Sequence, residues 1–325
     1  MLVNITLIAV SFIVFATANN CDGSFPPGVG PTLTLNNVTL PSGRNFIYYL
    51  PQFYNGYNMH PAVFSFHGGA RNATWQEDLT QLTNPYYNWQ GISVYPQGAP
   101  RPSSDDDDDD DDDTGDTDAD YQIGYWLSHP GKSNGGGLVN LLACNFTTAS
   151  MFTAFASVSG AYYEDKLAID GDPARDVPFL SFHGLNDTTI PYNGKPPKLE
   201  YSSAGELPKP VTYTGTFGID DWLRKWFKIN SLADSNGKVD VVNTTLYGGY
   251  VTQCVFGGPG SVNIIHYKEN DLGHVWASLY PNTDCPSTNA TRNLTKCPMG
   301  HYVFNATEVI IDYFNSFMQS GAITF

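Results

Sequence analysis

Short apolar runs alternate with amphipathic segments along most of this chain. Phe46 to Leu50 runs into Pro51 and reads as a strand ending at proline. Pro61–Phe66 is a buried strand leading into His67-Gly68-Gly69, and 91–96 is another. Residues 138–144 and 146–152 predict a helix and its continuation, and 155–160 a strand. Residues 177–182 form a strand ending at His183-Gly184, and 262–267 another. Trp222, Leu223, Trp226 and Phe227 recur at helical spacing within 219–229, and 303–318 predict an amphipathic terminal helix. Strands alternating with helices predict an α/β fold with a mostly parallel central sheet flanked by helices.

The apolar run 5–16 is too short for a confident membrane span and is followed by Ala16-Thr17-Ala18, an A-x-A pattern. Residues 1–18 therefore predict a secretory signal peptide, and 19–325 a single catalytic domain that is extracellular, with no membrane contact after cleavage. Eight N-x-S/T sequons follow the leader, and Asn37, Asn72, Asn145, Asn243, Asn289, Asn293 and Asn305 are the candidate glycosylation sites. The eighth, Asn186, is expected to stay bare because it adjoins a candidate catalytic residue. In an oxidising compartment four of the five cysteines can pair. Cys285 with Cys297 is the first expectation and Cys21 with Cys144 the second.

The formal net charge is −16, but Asp105 to Asp113 is one unbroken acidic run, and without it the balance is −7. Nine adjacent acids repel one another, so 101–120 is expected to be a disordered insertion rather than a calcium loop, which needs spaced ligands and a turn glycine. Nothing basic clusters, which argues against a nucleic-acid partner. No C-x-x-C or histidine group has metal-ligand spacing, so no catalytic metal is expected.

Gly131-Lys132-Ser133-Asn134-Gly135 fits G-x-S-x-G, the pattern of a serine held on a tight strand-to-helix turn. Acyl transfer also needs a base, an orienter for that base, and donors for the oxyanion. His274, in Asp271-Leu272-Gly273-His274, follows a strand and is the candidate base, and Asp187, in the loop after 177–182, is the candidate orienter. The order Ser133, Asp187, His274 is the α/β-hydrolase order. The oxyanion donors would be the N–H of Asn134 and that of Gly69 or Ala70. His67 and His183 are expected to shape loops. Trp75 and Trp276 are candidate substrate-stacking residues, while Trp222 and Trp226 are expected in the core.

Phe66-His67-Gly68-Gly69, Val94-Tyr95-Pro96-Gln97-Gly98, the Ser133 elbow with Gly136, His183-Gly184-x-x-Asp187 and Gly273-His274-Val275-Trp276 together resemble the secreted feruloyl esterases of the polyhydroxybutyrate-depolymerase-like group. Carbohydrate esterases of family one are similar. The resemblance covers roughly 21–320. It implies an α/β-hydrolase fold, no cofactor, and cleavage of ester bonds on plant cell-wall polysaccharide, feruloyl esters being the expected substrate; a monomer is expected separately. Acetylxylan or a polyhydroxyalkanoate would be the alternative substrates. One departure stands out. The family pattern has a helix and a strand reading roughly x-V-Y-A-[ST]-G before the elbow, whereas this chain has Trp126-Leu127-Ser128-His129-Pro130. The interval from His67 to Ser133 is too short for both, so about 20 family residues are missing, through an error in the reading frame or a true deletion. Ile123, Tyr125 and Leu127 alternate and would make a short strand in their place. If the deletion is real, a second class of function enters: a non-catalytic carbohydrate-binding relative with a damaged elbow.

Overall fold

The computed structural model describes residues 5–10, 13–18, 36–51, 54, 60–69, 71–88, 90–100, 124–125, 134–163, 176–196, 198–201, 210–213, 215–258, 264–279, 282–284 and 303–319. In chain order the strands are β1 (Ile5–Val10), β2 (Ile13–Ala18), β3 (Asn36–Thr39), β4 (Asn45–Tyr49), β5 (His60–Phe64), β6 (Ile92–Pro96), β7 (Ala99–Pro100), β8 (Gly124–Tyr125), β9 (Phe155–Val158), β10 (Phe179–Gly184), β11 (Lys198–Tyr201), β12 (Pro210–Tyr213), β13 (Val241–Leu246), β14 (Val251–Phe256) and β15 (Ile264–Glu269). The α-helices are α1 (Ala73–Thr80), α2 (Asn134–Cys144), α3 (Phe146–Met151), α4 (Ile219–Ile229) and α5 (Ala306–Gln319).

Eleven strands make one sheet in the order β13-β14-β15-β10-β9-β1-β2-β5-β6-β4-β3. The sheet is mixed where the sequence predicts a mostly parallel one. Its parallel neighbours are β15–β10, β10–β9, β9–β1 and β5–β6, and the remaining neighbours are antiparallel. The difference arises from hairpin-like pairs at both edges and from the β1–β2 pair in the middle. Every residue of β9 and of β10 is buried, so both faces of the sheet are covered there. That double burial is why these strands read as unbroken apolar runs.

The position of β1 and β2 bears on the sequence reading of 1–18 as a leader. β1 pairs with β9 on one side, β2 pairs with β5 on the other, and β5 and β9 do not pair with each other. Cleavage after Ala18 would remove both strands from the centre of the sheet. Of the short strand expected just before the elbow, Ile123 and Leu127 lie outside the described residues, and Tyr125 lies in β8, which among the described residues pairs with β7 in a separate two-stranded ladder. The acidic stretch 101–120 lies outside the described residues. Among the described residues no helix is long and apolar enough to cross a membrane.

α4 spans Ile219–Ile229, the range its apolar spacing predicts, and it anchors the core through Trp222 and Trp226, both fully buried. Tyr162 stacks on Trp222 with ring centroids 4.0 Å apart, and Phe179 meets the same indole edge-on. The two indole N–H groups both donate to Asn140 Oδ1 from α2, at 2.8 and 3.0 Å. One buried amide oxygen thereby satisfies two tryptophans and ties α4 to the helix that begins next to Ser133.

Cys144, at the end of α2, is a buried free thiol, as is Cys254 on β14. The expected Cys21–Cys144 bridge is therefore not formed. Burial pushes the Cys144 thiol up to about 12, consistent with an inert apolar core position. Cys285 and Cys297 lie outside the described residues, as do Asn289 and Asn293. Asn37, Asn145 and Asn243 are exposed, while Asn72 is half-buried and caps α1 by accepting from the Trp75 N–H. Asn305 is a different case. It is 4 % exposed and its side chain accepts from the Thr307 N–H at the start of α5.

Candidate active site

β5, β6, β9, β10 and β15 all run in one direction, so the loops after them gather along one edge of the sheet. The segments that follow them contain His67 and Gly68, Gln97 and Gly98, Ser159, Asp187 and His274. In an open sheet with parallel strands, the carboxyl edge is where a site forms. His67, Asp187 and His274 share that edge because each follows a strand whose carboxyl end lies there.

His274 Nδ1 donates to Asp187 Oδ2 at 2.8 Å across 87 residues of sequence. That bond fixes the tautomer, with the proton on Nδ1 and the lone pair on Nε2. The Asp187 side chain is fully buried and well supplied with donors. Oδ1 accepts the N–H groups of Thr189 and Ile190 at 2.9 and 2.8 Å, and His183 Nε2 lies 3.3 Å from Oδ2. Burial alone would raise the Asp187 pKa, but hydrogen bonds from His183 and His274 and their positive potential outweigh it, holding the carboxyl well below the usual range. His183 also donates to the Ile190 carbonyl at 2.8 Å, closing the loop that carries Asp187. A loop-shaping role was expected for His183. Its approach to Asp187 was not, and the i, i+4 spacing of the two is the only sequence signal for it.

The loops carrying Asp187 and His274 are laced together through the backbone. Leu185 N–H donates to Glu269 O at 2.9 Å and Asn186 N–H to Leu272 O at 3.0 Å. This close approach requires Gly184, since a Cβ there would sit 2.1 Å from the Leu272 carbonyl oxygen and 2.6 Å from that of Gly273. Backbone cannot yield as a side-chain end can. Gly184→Ala is therefore expected to push the two loops apart and break the His274–Asp187 bond. A structure of that variant with the bond still at 2.8 Å would show that the loops tolerate the added Cβ.

On the opposite side of the site, His67 is fully buried. Its Nδ1 donates to Gly68 O at 2.7 Å and its Nε2 accepts the Gly98 N–H at 3.0 Å. Burial lowers its pKa to about 4 against the opposing effect of the Gly68 bond, so the ring is neutral and serves as a strut between two loops. Gln97 adds a second tie, its Oε1 accepting the Ala73 N–H at 2.9 Å. The Tyr-Pro-Gln-Gly segment therefore holds the His-Gly-Gly loop in place.

A small depression opens beside His274, with Gly68, Arg71, Trp75, Ser159 and Trp276 on its wall. Trp75 is half-exposed there. Trp276 is locked: its indole N–H donates to Thr307 Oγ1 at 3.1 Å, its backbone N–H to Asp284, and its carbonyl accepts from Asn282. Trp276 presents a fixed wall rather than a movable stacking plate. Trp222 and Trp226 do not line the depression. Asn134 opens α2, fully buried, with Oδ1 accepting from the Tyr163 hydroxyl at 3.0 Å. Gly69 is buried in the loop after β5. Ser133 and Ala70 lie outside the described residues. Among the described residues no cluster of three or more His, Cys, Asp or Glu side chains could hold a metal ion.

Sequence reasoning passed over three residues at this edge. Arg71 and Ser159 share the depression with His274, and Glu269 is buried at the end of β15 with neither carboxyl oxygen hydrogen-bonded. The Ser159-Gly160 step directly after an apolar strand was the available signal for the second. No protein-family profile matches the chain, and no curated protein matches it.

Proposed function

We propose that this chain is a secreted serine carboxylic-ester hydrolase with an α/β-hydrolase fold, acting as a feruloyl esterase on ester-decorated plant polysaccharide. The observation that carries the reading is the 2.8 Å bond from His274 Nδ1 to a buried, ionised Asp187, at the sheet edge where α2 begins one residue after Ser133.

In the mechanism, Ser133 Oγ attacks the ester carbonyl carbon while His274 Nε2 takes its proton. Asp187 holds the imidazole and stabilises the cation that forms. Negative charge developing on the carbonyl oxygen is met by the N–H of Asn134, at the positive end of α2, and by that of Gly69 or Ala70. His274 then returns its proton to the leaving alkoxide, and the acyl-enzyme is hydrolysed by water activated through the same base. No metal and no cofactor is required by this sequence of steps. The resemblance of the five loop motifs, rather than the geometry, supports ferulate over acetate as the acyl group.

The second reading is a non-catalytic relative with a damaged elbow. It is favoured by one observation: Tyr125, the last described residue before the elbow, lies in the short β8 ladder and not in the main sheet. A fluorophosphonate probe separates the two, because only an activated serine reacts. Labelling of the full chain is expected, and its loss in Ser133→Ala together with loss of methyl ferulate hydrolysis supports the esterase. An unlabelled, folded chain selects the binding protein.

A further inference from the structure

Two polar groups on the wall of the depression make no hydrogen bond or ion pair with any described residue. The Arg71 guanidinium lies over the face of Trp75, 4.9 Å from the ring centroid. It forms no ion pair with any described carboxylate, although acids outnumber bases two to one along the chain. The second group is Ser159, at the end of β9, which is 4 % exposed with an Oγ that makes no hydrogen bond. Its φ of 50° lies in the left-handed region, uncommon for serine and costly unless the surroundings hold it there. A buried hydroxyl without a partner carries its full desolvation cost, and an unpaired guanidinium against an aromatic face is arranged to receive an anion. The carboxylate on the same wall, Asp284, accepts the Trp276 N–H at 2.9 Å.

We propose that this depression is an acyl- or alcohol-side subsite for a carboxylate, so that the preferred esters carry a free carboxylate near the scissile bond. Arg71 supplies the planar pair of donors that matches a carboxylate, Trp75 holds the guanidinium flat, and the Ser159 hydroxyl donates to the same anionic group. This inference rests on the ester-hydrolase reading and narrows its substrate class.

The test compares mono-4-nitrophenyl succinate with 4-nitrophenyl butyrate, esters of similar length that differ in the terminal carboxylate, using the full chain. The ratio of kcat/KM for the succinate ester over the butyrate ester is expected to exceed one. It is expected to fall at least tenfold in Arg71→Gln, mostly through KM, to fall less in Arg71→Lys, and to fall in Ser159→Ala. A ratio that Arg71→Gln leaves unmoved overturns the subsite while leaving the esterase intact. If neither ester is turned over, the esterase reading fails on its own account. The subsite is then decided by quenching of tryptophan fluorescence with monomethyl succinate. Saturable binding that weakens at least tenfold in Arg71→Gln supports it, and no saturable binding overturns it.

Discussion

Asp187→Asn is expected to lower kcat for methyl ferulate about 10⁴-fold with little change in KM. Asp187 Oδ2 accepts from His274 at 2.8 Å and has His183 Nε2 at 3.3 Å, while Oδ1 takes two backbone N–H groups. An asparagine can keep the Oδ1 pattern only by turning its NH₂ toward two imidazoles. His274 would then be driven to the other tautomer, with a proton on the nitrogen that must accept one. Loss of the buried charge also removes what stabilises the imidazolium as it forms. Stopped-flow or steady-state assay of the purified variant, with circular dichroism as a check on folding, measures the effect. A loss under tenfold would place the base elsewhere. The low pKa of Asp187 adds a second expectation. Its folded pKa is depressed, so its contribution to stability is complete above the range where a free aspartate titrates, about pH 4, and is lost as pH falls below it. The acid limb of the rate profile therefore does not come from Asp187 protonation.

Much of this arrangement was legible because His67 and the loop of Asp187 follow unbroken apolar runs. Strands buried on both faces, such as β9 and β10, show as continuous hydrophobic stretches, and the residue after each one must lie at the sheet edge. The helix through Trp222 and Trp226 was legible for the corresponding reason at helical spacing. Three things were not. α1 is short and mixed in character, held by the Asn72 cap and by Gln97 rather than by an apolar stripe. The β13 strand is exposed along nearly its whole length, so its polar-looking sequence gives no burial signal. The centre of the sheet was the third. The missing apolar run before Pro130 pointed to an absent strand, but nothing local could show that an N-terminal hairpin with its own apolar pattern occupies the place between β5 and β9. Long-range pairing is chosen by what else is available, and a one-dimensional pattern does not record that. The unsatisfied hydroxyl of Ser159 was invisible for a related reason, since partnership is a property of the assembled edge.

Glu269→Gln is expected to stabilise the protein at neutral pH, against the usual direction of core substitutions. Glu269 is 2 % exposed and neither carboxyl oxygen has a hydrogen-bond partner. It ends β15, pairing in register with Gly184 on one side and Val251 on the other, so its carboxyl sits beneath the loop of Asp187. Burial first, and the negative charge of Asp187 second, raise its pKa well above the ordinary carboxylate range. The sign follows from linkage. The folded state keeps a proton that the unfolded state releases above about pH 4.3, so stability is complete below that pH and falls as pH rises toward the folded value. Each pH unit between the unfolded and the folded pKa costs about 1.4 kcal/mol. Glutamine is the neutral form made permanent, and it removes this cost without changing shape. Urea unfolding of both proteins should give midpoints that nearly coincide at pH 4 and diverge in favour of the variant by pH 7.5. Equal shifts at both pH values would mean that folding does not raise the Glu269 pKa. Part of the gain should disappear in an Asp187→Asn background, where the charge that opposes Glu269 ionisation is gone, and a double-mutant cycle at pH 7.5 reads that coupling directly.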